Sequence, residues 1–257
     1  MYTGRVSLAA PMRQLGQFYK MGADVAVGLV RTRFQVQEFL EQSWMIARVS
    51  LVPTVLVAVP FTVLVSFTLN ILLREIGAAD LSGAGAALGA VTQVGPVVTV
   101  LIVAGAGATA IAADLGSRTI REEIDAMEVL GIDPINRLVI PRVVASTVVA
   151  LLLNGLVCVI GITGGYIFSV FLQGVNPGAF VDGITLLTGL PEVALSMVKA
   201  ALFGMLAGLV ACYRGLSVRG GPKGVGEAVN ETVVYAFMAL FVVNTIVTAV
   251  GIRLTAG

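Results

Sequence analysis

DLGSRTIREEIDAMEVLGIDPINRLVIPR, Asp114 to Arg142, is a charged and well-punctuated stretch set between two long runs that carry no charge. A polar helix has no use inside lipid, so this stretch reads as an element outside the bilayer on which another protein can pull. Thr119-Ile-Arg-Glu122 fits a capping box, with Thr119 as N-cap and Glu122 at the third helical position. Gly131 fits the residue just past a helix end, and Pro134 forbids continuation. The spacing predicts a short helix over about 119–130. Ile120, Ile124 and Met127 form an apolar stripe that Leu130 extends, and Glu122, Glu123, Asp125 and Glu128 supply acid elsewhere. Such a helix can rest its stripe on the ends of the spans as a solvated loop helix, or fit it into a partner's groove. Asp114 can pair with Arg137 or Arg142, which mark headgroup level at the start of the next apolar run.

The composition agrees with the bilayer. Apolar residues make up 57% of the 257 and charged residues 12%, whereas a soluble domain carries roughly twice that share of charge. Mean hydropathy is +0.97. A net charge of +1 argues against nucleic acid. The two cysteines, Cys158 and Cys212, sit in apolar runs and read as packing residues. With no histidine the commonest metal ligand and general base is missing. No nucleophile–base pair or metal constellation is present, so the chain is not read as an enzyme. No signal peptide is expected, because Arg5, Arg13, Lys20, Arg31, Arg33 and Arg48 leave no apolar core between them.

A spanning helix needs about 20 apolar residues. Charge-free windows at Val49–Leu73, Leu81–Ala113, Val143–Val181 and Thr232–Ile252, with Val193–Tyr213 interrupted only by Lys199, predict five spans. Helix is the form expected, because each lipid-exposed backbone must bond within its own segment. The second helix is expected to start near Gly89, after a glycine-rich lead, and the third to leave the membrane before Asn176-Pro177. The fold class is therefore all-α integral membrane. Residues 1–48 form an amphipathic segment, with Arg13, Lys20, Asp24, Arg31 and Glu38 on one stripe, suited to the membrane interface. Residues 49–257 form the transmembrane domain. Lys and Arg gather before span one, between spans two and three, and between spans four and five, against Arg74 and Arg253 opposite. The N-terminus is thus expected in the cytoplasm and the C-terminus outside.

Small-xxx-small spacings occur at Gly85/Gly89, Gly161/Gly165 and Gly204/Gly208, allowing close helix approach within one subunit or between two. Asn70, Gln93, Asn154 and Asn244 are polar but uncharged. Lys199 is the one ionisable residue within a span; it either snorkels to the headgroups or faces a cavity. No deep carboxylate or internal repeat supports a secondary transporter or channel. No G-x-x-x-x-G-K-[ST] occurs, so any ATP is bound by a partner.

Glu122–Pro134 (EEIDAMEVLGIDP), followed by Leu138–Arg142 (LVIPR), resembles the signature of the MlaE/YrbE permeases. Gly95-Pro-Val97, Val198-Lys-Ala200, Phe203-Gly204, Cys212-Tyr-Arg-Gly215 and Gly224-Val-Gly226 agree, and the phrasing is most similar to the A-type YrbE permease of actinobacterial Mce systems. The resemblance implies a multi-pass permease subunit, in the inner membrane, of an ABC transporter moving lipids such as fatty acids across the cell envelope, as import. It implies a second, B-type permease as heterodimer partner, two cytoplasmic ATPases that bind ATP and Mg, and MCE-domain proteins on the outer side; this chain binds no cofactor itself. The helix at 119–130 would be the coupling helix, with Thr119, Arg121, Glu122, Glu123, Asp125 and Glu128 as candidate contacts. Asn70, Gln93, Val97 and Lys199 are candidates for a lipid cavity bounded by spans one and two, with span five nearby. Where many family members carry Arg-Glu, this chain has Thr92-Gln93, and where many carry Arg after Ala-Gly it has Ala106. A scaffold that only anchors MCE proteins is the other reading.

Overall fold

A computed structural model describes residues 9–31 and 34–255. Arg5 and Arg33 of the basic N-terminal segment, and the side chain of Arg253, lie outside the described residues. Among those described there are helices and no strands. Helix α1 is Ala9–Arg31 and α2 is Val36–Glu75. A continuous helix α3, Ser82–Ile120, follows a 3₁₀ turn. Then come the short α4, Glu123–Val129, the long α5, Ile135–Leu172, and the short α6, Pro177–Ile184. Leu190–Leu216 forms α7 and Pro222–Thr255 forms α8. Helices α2, α3, α5, α7 and α8 are each long and apolar enough to cross a membrane.

The number of spans matches the expectation; several of their ends do not. Helix α2 begins well before Val49, and the chain breaks at Phe34 and Gln35, so 1–48 is not one amphipathic element and Glu38 does not share a helix with Arg31. Helix α3 begins at Ser82 rather than near Gly89. Its glycine-rich lead lies against α6: a Cβ at Gly83 would collide with the Phe180 carbonyl, and Phe180 is fully buried. The third helix ends before Asn176-Pro177 as expected. Asn176 Oδ1 then accepts from the Gly178 amide (2.8 Å), capping α6.

Helix α2 shows how the bundle is held. Its buried residues are Gln42, Ile46, Ser50, Thr54, Ala58, Thr62, Ser66 and Asn70, one every fourth position. This single ridge is mostly small and polar, while Leu56, Leu64 and Phe67 face outward. In lipid an apolar surface gains nothing by hiding, so close packing and interhelical hydrogen bonds decide which face turns in. The ridge lies on α5: Asn70 Nδ2 donates to Ser169 Oγ (2.7 Å). Gly161 and Gly165 of α5 in turn sit on Ala90 and Ala86 of α3, where an added Cβ would stand 2.6 and 3.0 Å from theirs. Gly204 of α7 lies on α5, with an added Cβ 2.7 Å from Ala150 Cβ, and Ser146 Oγ donates to the Gly204 carbonyl (2.7 Å). Both spacings are therefore spent inside the subunit.

Two spans carry π-helical turns just before a proline. Ala90–Val94 precedes Gly95-Pro96, and Ile135–Val139 precedes Ile140-Pro141. A π turn widens the hydrogen-bond ladder locally, here with a proline following and, at Val103–Gly107 and Phe168–Leu172, without one. Thus Gly95 N–H reaches Ala90 O, and Ile140 N–H reaches Ile135 O.

Candidate functional site

The candidate site is the end of the bundle around α4. Helix α3 continues to Ile120, so Thr119 is not an N-cap. Its hydroxyl lies inside the helix, directed to the carbonyls of Leu115 (2.9 Å) and Gly215 (3.2 Å), tying α3 to the end of α7. Glu122 is not at the third position of α4 but is its N-cap, with φ 60° in the left-handed region. That conformation costs a non-glycine residue roughly 1–2 kcal/mol. It turns the chain sharply enough to set α4 at the end of α3. Arg121 Nε meets Glu123 Oε1 at 2.9 Å across the turn, and Arg118 reaches Asp114 (3.4 Å) and Glu123 (3.9 Å).

The far end of α4 closes as the sequence indicates. Gly131 has φ +75°; its N–H donates to Glu128 O (3.0 Å) and that of Ile132 to Met127 O (2.9 Å), a Schellman motif. The helix is seven residues, shorter than the expected span of 119–130. Ile124 is buried and Met127 half-buried against the bundle. Leu130 does not extend that stripe: it is 75% exposed, and Val129 beside it is 87% exposed. Asp125, Glu128 and Glu122 are exposed as well, and Glu123 is half-exposed in its ion pairs. Helix α4 therefore rests one face on the protein and presents a second, mixed apolar and acidic face to whatever lies beyond.

Behind α4 is a buried ion cluster. Arg142, with no side-chain exposure, reaches Asp114 Oδ2 with Nη2 (2.6 Å) and Glu38 Oε1 with Nη1 (3.0 Å); Nη1 also donates to Leu138 O (3.0 Å). One guanidinium thus joins the starts of α2 and α5 to the last turns of α3. Its planar, forked donors suit this role as a lysine ammonium would not. Of the two arginines open to Asp114, it is Arg142 that pairs. Arg137 instead donates to Gln35 Oε1 (2.6 Å) at the break between α1 and α2. Glu38 as a member of this cluster was not legible from the sequence.

The four candidates for a lipid path lie on three spans, in different surroundings. Asn70 is buried between α2 and α5. Gln93 is exposed on α3, and Val97, one turn further on and half-buried, shares its face. Lys199 does not snorkel: it is only 3% exposed and has no ion pair among the described residues. Near it in sequence, Ser196 accepts from Asn154 Nδ2 (2.9 Å), while Asn154 Oδ1 is buried without a partner. Asn154 Oδ1 lies where a Cβ on Gly95 would approach to 2.9 Å. The polar interior of the bundle thus runs from α3 through α5 to α7.

The family model described as Permease MlaE matches residues 39–250. A protein of Synechocystis described as a "Probable ABC transporter permease protein" is 31% identical over 93% of this chain and 91% of its own length. One of Rickettsia typhi, with the same description, is 34% identical over 61% of this chain and 60% of its own. The "Intermembrane phospholipid transport system permease protein MlaE" of Haemophilus influenzae is 28% identical over 64% of this chain and 63% of its own.

Proposed function

The chain belongs to the MlaE permease family, and on that premise we propose that it is the membrane subunit of an ATP-driven lipid transporter in which α4 receives the stroke of a cytoplasmic ATPase. The observation that carries this reading is the exposed pair Val129 and Leu130 on a short helix already rimmed by Asp125 and Glu128. Isolated apolar residues are common on surfaces, but a rigid helix presenting two of them beside carboxylates fits a partner's groove. Glu122, Glu123 and Arg121 set the angle of that helix, and Thr119 fastens its base.

In this reading the α4 end is cytoplasmic, as the Lys and Arg bias indicates, and the chain spans the inner membrane with its C-terminus outside. ATP and Mg are bound by two separate ATPase subunits. A second, B-type permease covers the outward faces of α2 and α8, where Leu56, Leu64, Met238 and Phe241 stand exposed. The lipid cavity forms between the two permeases, bounded by α2, α3 and α8. Gln93 and Val97 line it, and Asn70 and Lys199 lie behind its wall. Greasy walls suit acyl chains, whose burial gains roughly 0.8 kcal/mol per methylene. Release therefore requires a change of conformation that collapses or wets the cavity. The similarity to A-type YrbE permeases favours MCE-domain partners on the outer side, and import of fatty acids or related lipids.

The test is purification of the chain from native membranes in mild detergent, with identification of every protein that accompanies it. The expected set is an ATPase, a second permease of similar length and MCE-domain chains. Recovery of the chain alone after cross-linking would favour a channel; MCE chains without an ATPase would favour a scaffold.

A further inference from the structure

At the α4 end, α1 lies across α7 and leaves an apolar slot of about 320 Å³ between itself, α7 and α8. Leu15 and Phe18 of α1, Leu206 and Val210 of α7, and Tyr235 and Ala239 of α8 form its walls. Tyr213 fixes α1 there, edge-on to Phe18 with centroids 5.7 Å apart, its hydroxyl donating to Gln14 O (3.1 Å). The slot shares Gln14, Tyr213 and Arg214 as lining with a second cavity of about 540 Å³ beside it. Three arginines line this one, Arg13, Arg214 and Arg219, together with amide and hydroxyl groups from Gln17 and Ser217, and no carboxylate lines either cavity.

The arginines differ in state. Arg214 is held in place by Glu231 (2.8 Å) and by the Tyr235 ring, 4.2 Å beneath its guanidinium. Arg13 and Arg219 are exposed and have no ion pair among the described residues. A greasy slot beside a chamber with two unpaired guanidiniums is complementary to a molecule with an acyl chain at one end and a phosphate at the other.

We propose that these adjacent cavities bind one anionic phospholipid of the leaflet at the α4 end, cytoplasmic in the orientation proposed above. One acyl chain occupies the slot, and the headgroup phosphate sits among Arg13, Arg214 and Arg219. The site is separate from the cavity proposed for transport and needs no ATPase. It would bind the lipid that surrounds the protein and so fasten α1 to the membrane surface.

The experiment is native mass spectrometry of the full chain in mild detergent, titrated with phosphatidylglycerol or phosphatidylcholine. The wild type is expected to retain phosphatidylglycerol over phosphatidylcholine. The R13Q/R219Q variant is expected to lose that preference, with affinity down on the order of tenfold. Both positions are exposed, so thermal unfolding of the variant should match the wild type; R74Q, at the other end of the bundle, serves as control. Equal retention of the two lipids, or undiminished preference in R13Q/R219Q, overturns the proposal. So does full displacement by glycerol 3-phosphate, which would assign the chamber to a soluble phosphate ester.

Discussion

Aspartate at both Val129 and Leu130 is expected to detach the ATPase while leaving the permease folded. The two side chains are 87% and 75% exposed, so their loss removes little from the core, and surface changes of this kind usually stay within about 0.5 kcal/mol. The cost falls on docking. A carboxylate buried in a partner's apolar groove without a countercharge costs several kcal/mol. Two of them should lower affinity more than about a hundredfold, since about 1.4 kcal/mol is tenfold. Co-purification and the permease-dependent rate of ATP hydrolysis read the effect directly. Charge reversal at Asp125 or Glu128 alone should act in the same direction and more weakly, because rim charges tune association more than they hold it. An ATPase retained at wild-type stoichiometry by V129D/L130D would remove α4 from the coupling role.

Methionine at Arg142 is expected to be the most damaging single change within the bundle. It removes the cation that joins Asp114 and Glu38, 26% and 16% exposed, and leaves Glu38 without an ion pair and Asp114 with Arg118 alone, 3.4 Å away. Breaking one member out of a buried ion cluster typically costs about 3–5 kcal/mol. For a chain of this size that corresponds to a fall of about 10 °C in the midpoint of thermal unfolding. Lysine at the same place keeps the charge but not the fork, and should recover only part of the loss. The triple variant E38Q/D114N/R142M removes all three charges and should recover most of it, because the carboxylates are no longer stranded. A R142M protein as stable as the wild type would show that the cluster does not hold α2, α3 and α5 together.

The five spans were legible because charge-free windows report the bilayer directly, whatever the helices then do. Their ends were less so. Val36 to Arg48 carries charge yet continues into span one, since Glu38 is paired with Arg142 rather than lost to lipid. In the lead at Ser82, Gly83 allows the close approach of α6 while Gly85 and Gly89 face α2, and a local reading takes the same glycines for a helix breaker. The misplaced N-cap has a similar origin. The pattern from Thr119 to Glu122 fits a capping box, but the helix before it runs on through Thr119, whose hydroxyl turns back to Leu115 and across to Gly215, distant in sequence. Gly131 was read correctly because its signal is local: only a residue tolerant of positive φ closes a helix in that way.

Part of the site was visible in the residues as well. The acids of α4 were singled out, and Asp114 was narrowed to two arginines. Val129 was passed over because an apolar stripe drawn at helical spacing runs through Ile124 and Met127 and leaves Val129 on the other face. The buried ridge of α2 could have been found from small and polar residues recurring every four positions through an otherwise greasy helix. Lys199 was left between the headgroups and a cavity, because distance along the span does not say which neighbours surround a side chain, and burial depends on those.

The most direct test of the central claim is lipid movement in proteoliposomes that hold the complete complex, followed with a fluorescent fatty acid or phospholipid. The reading predicts movement that requires ATP, stops with a non-hydrolysable analogue, and is lost in V129D/L130D although the permease is still present in the membrane. Movement of equal rate without ATP, or in the variant, would contradict it.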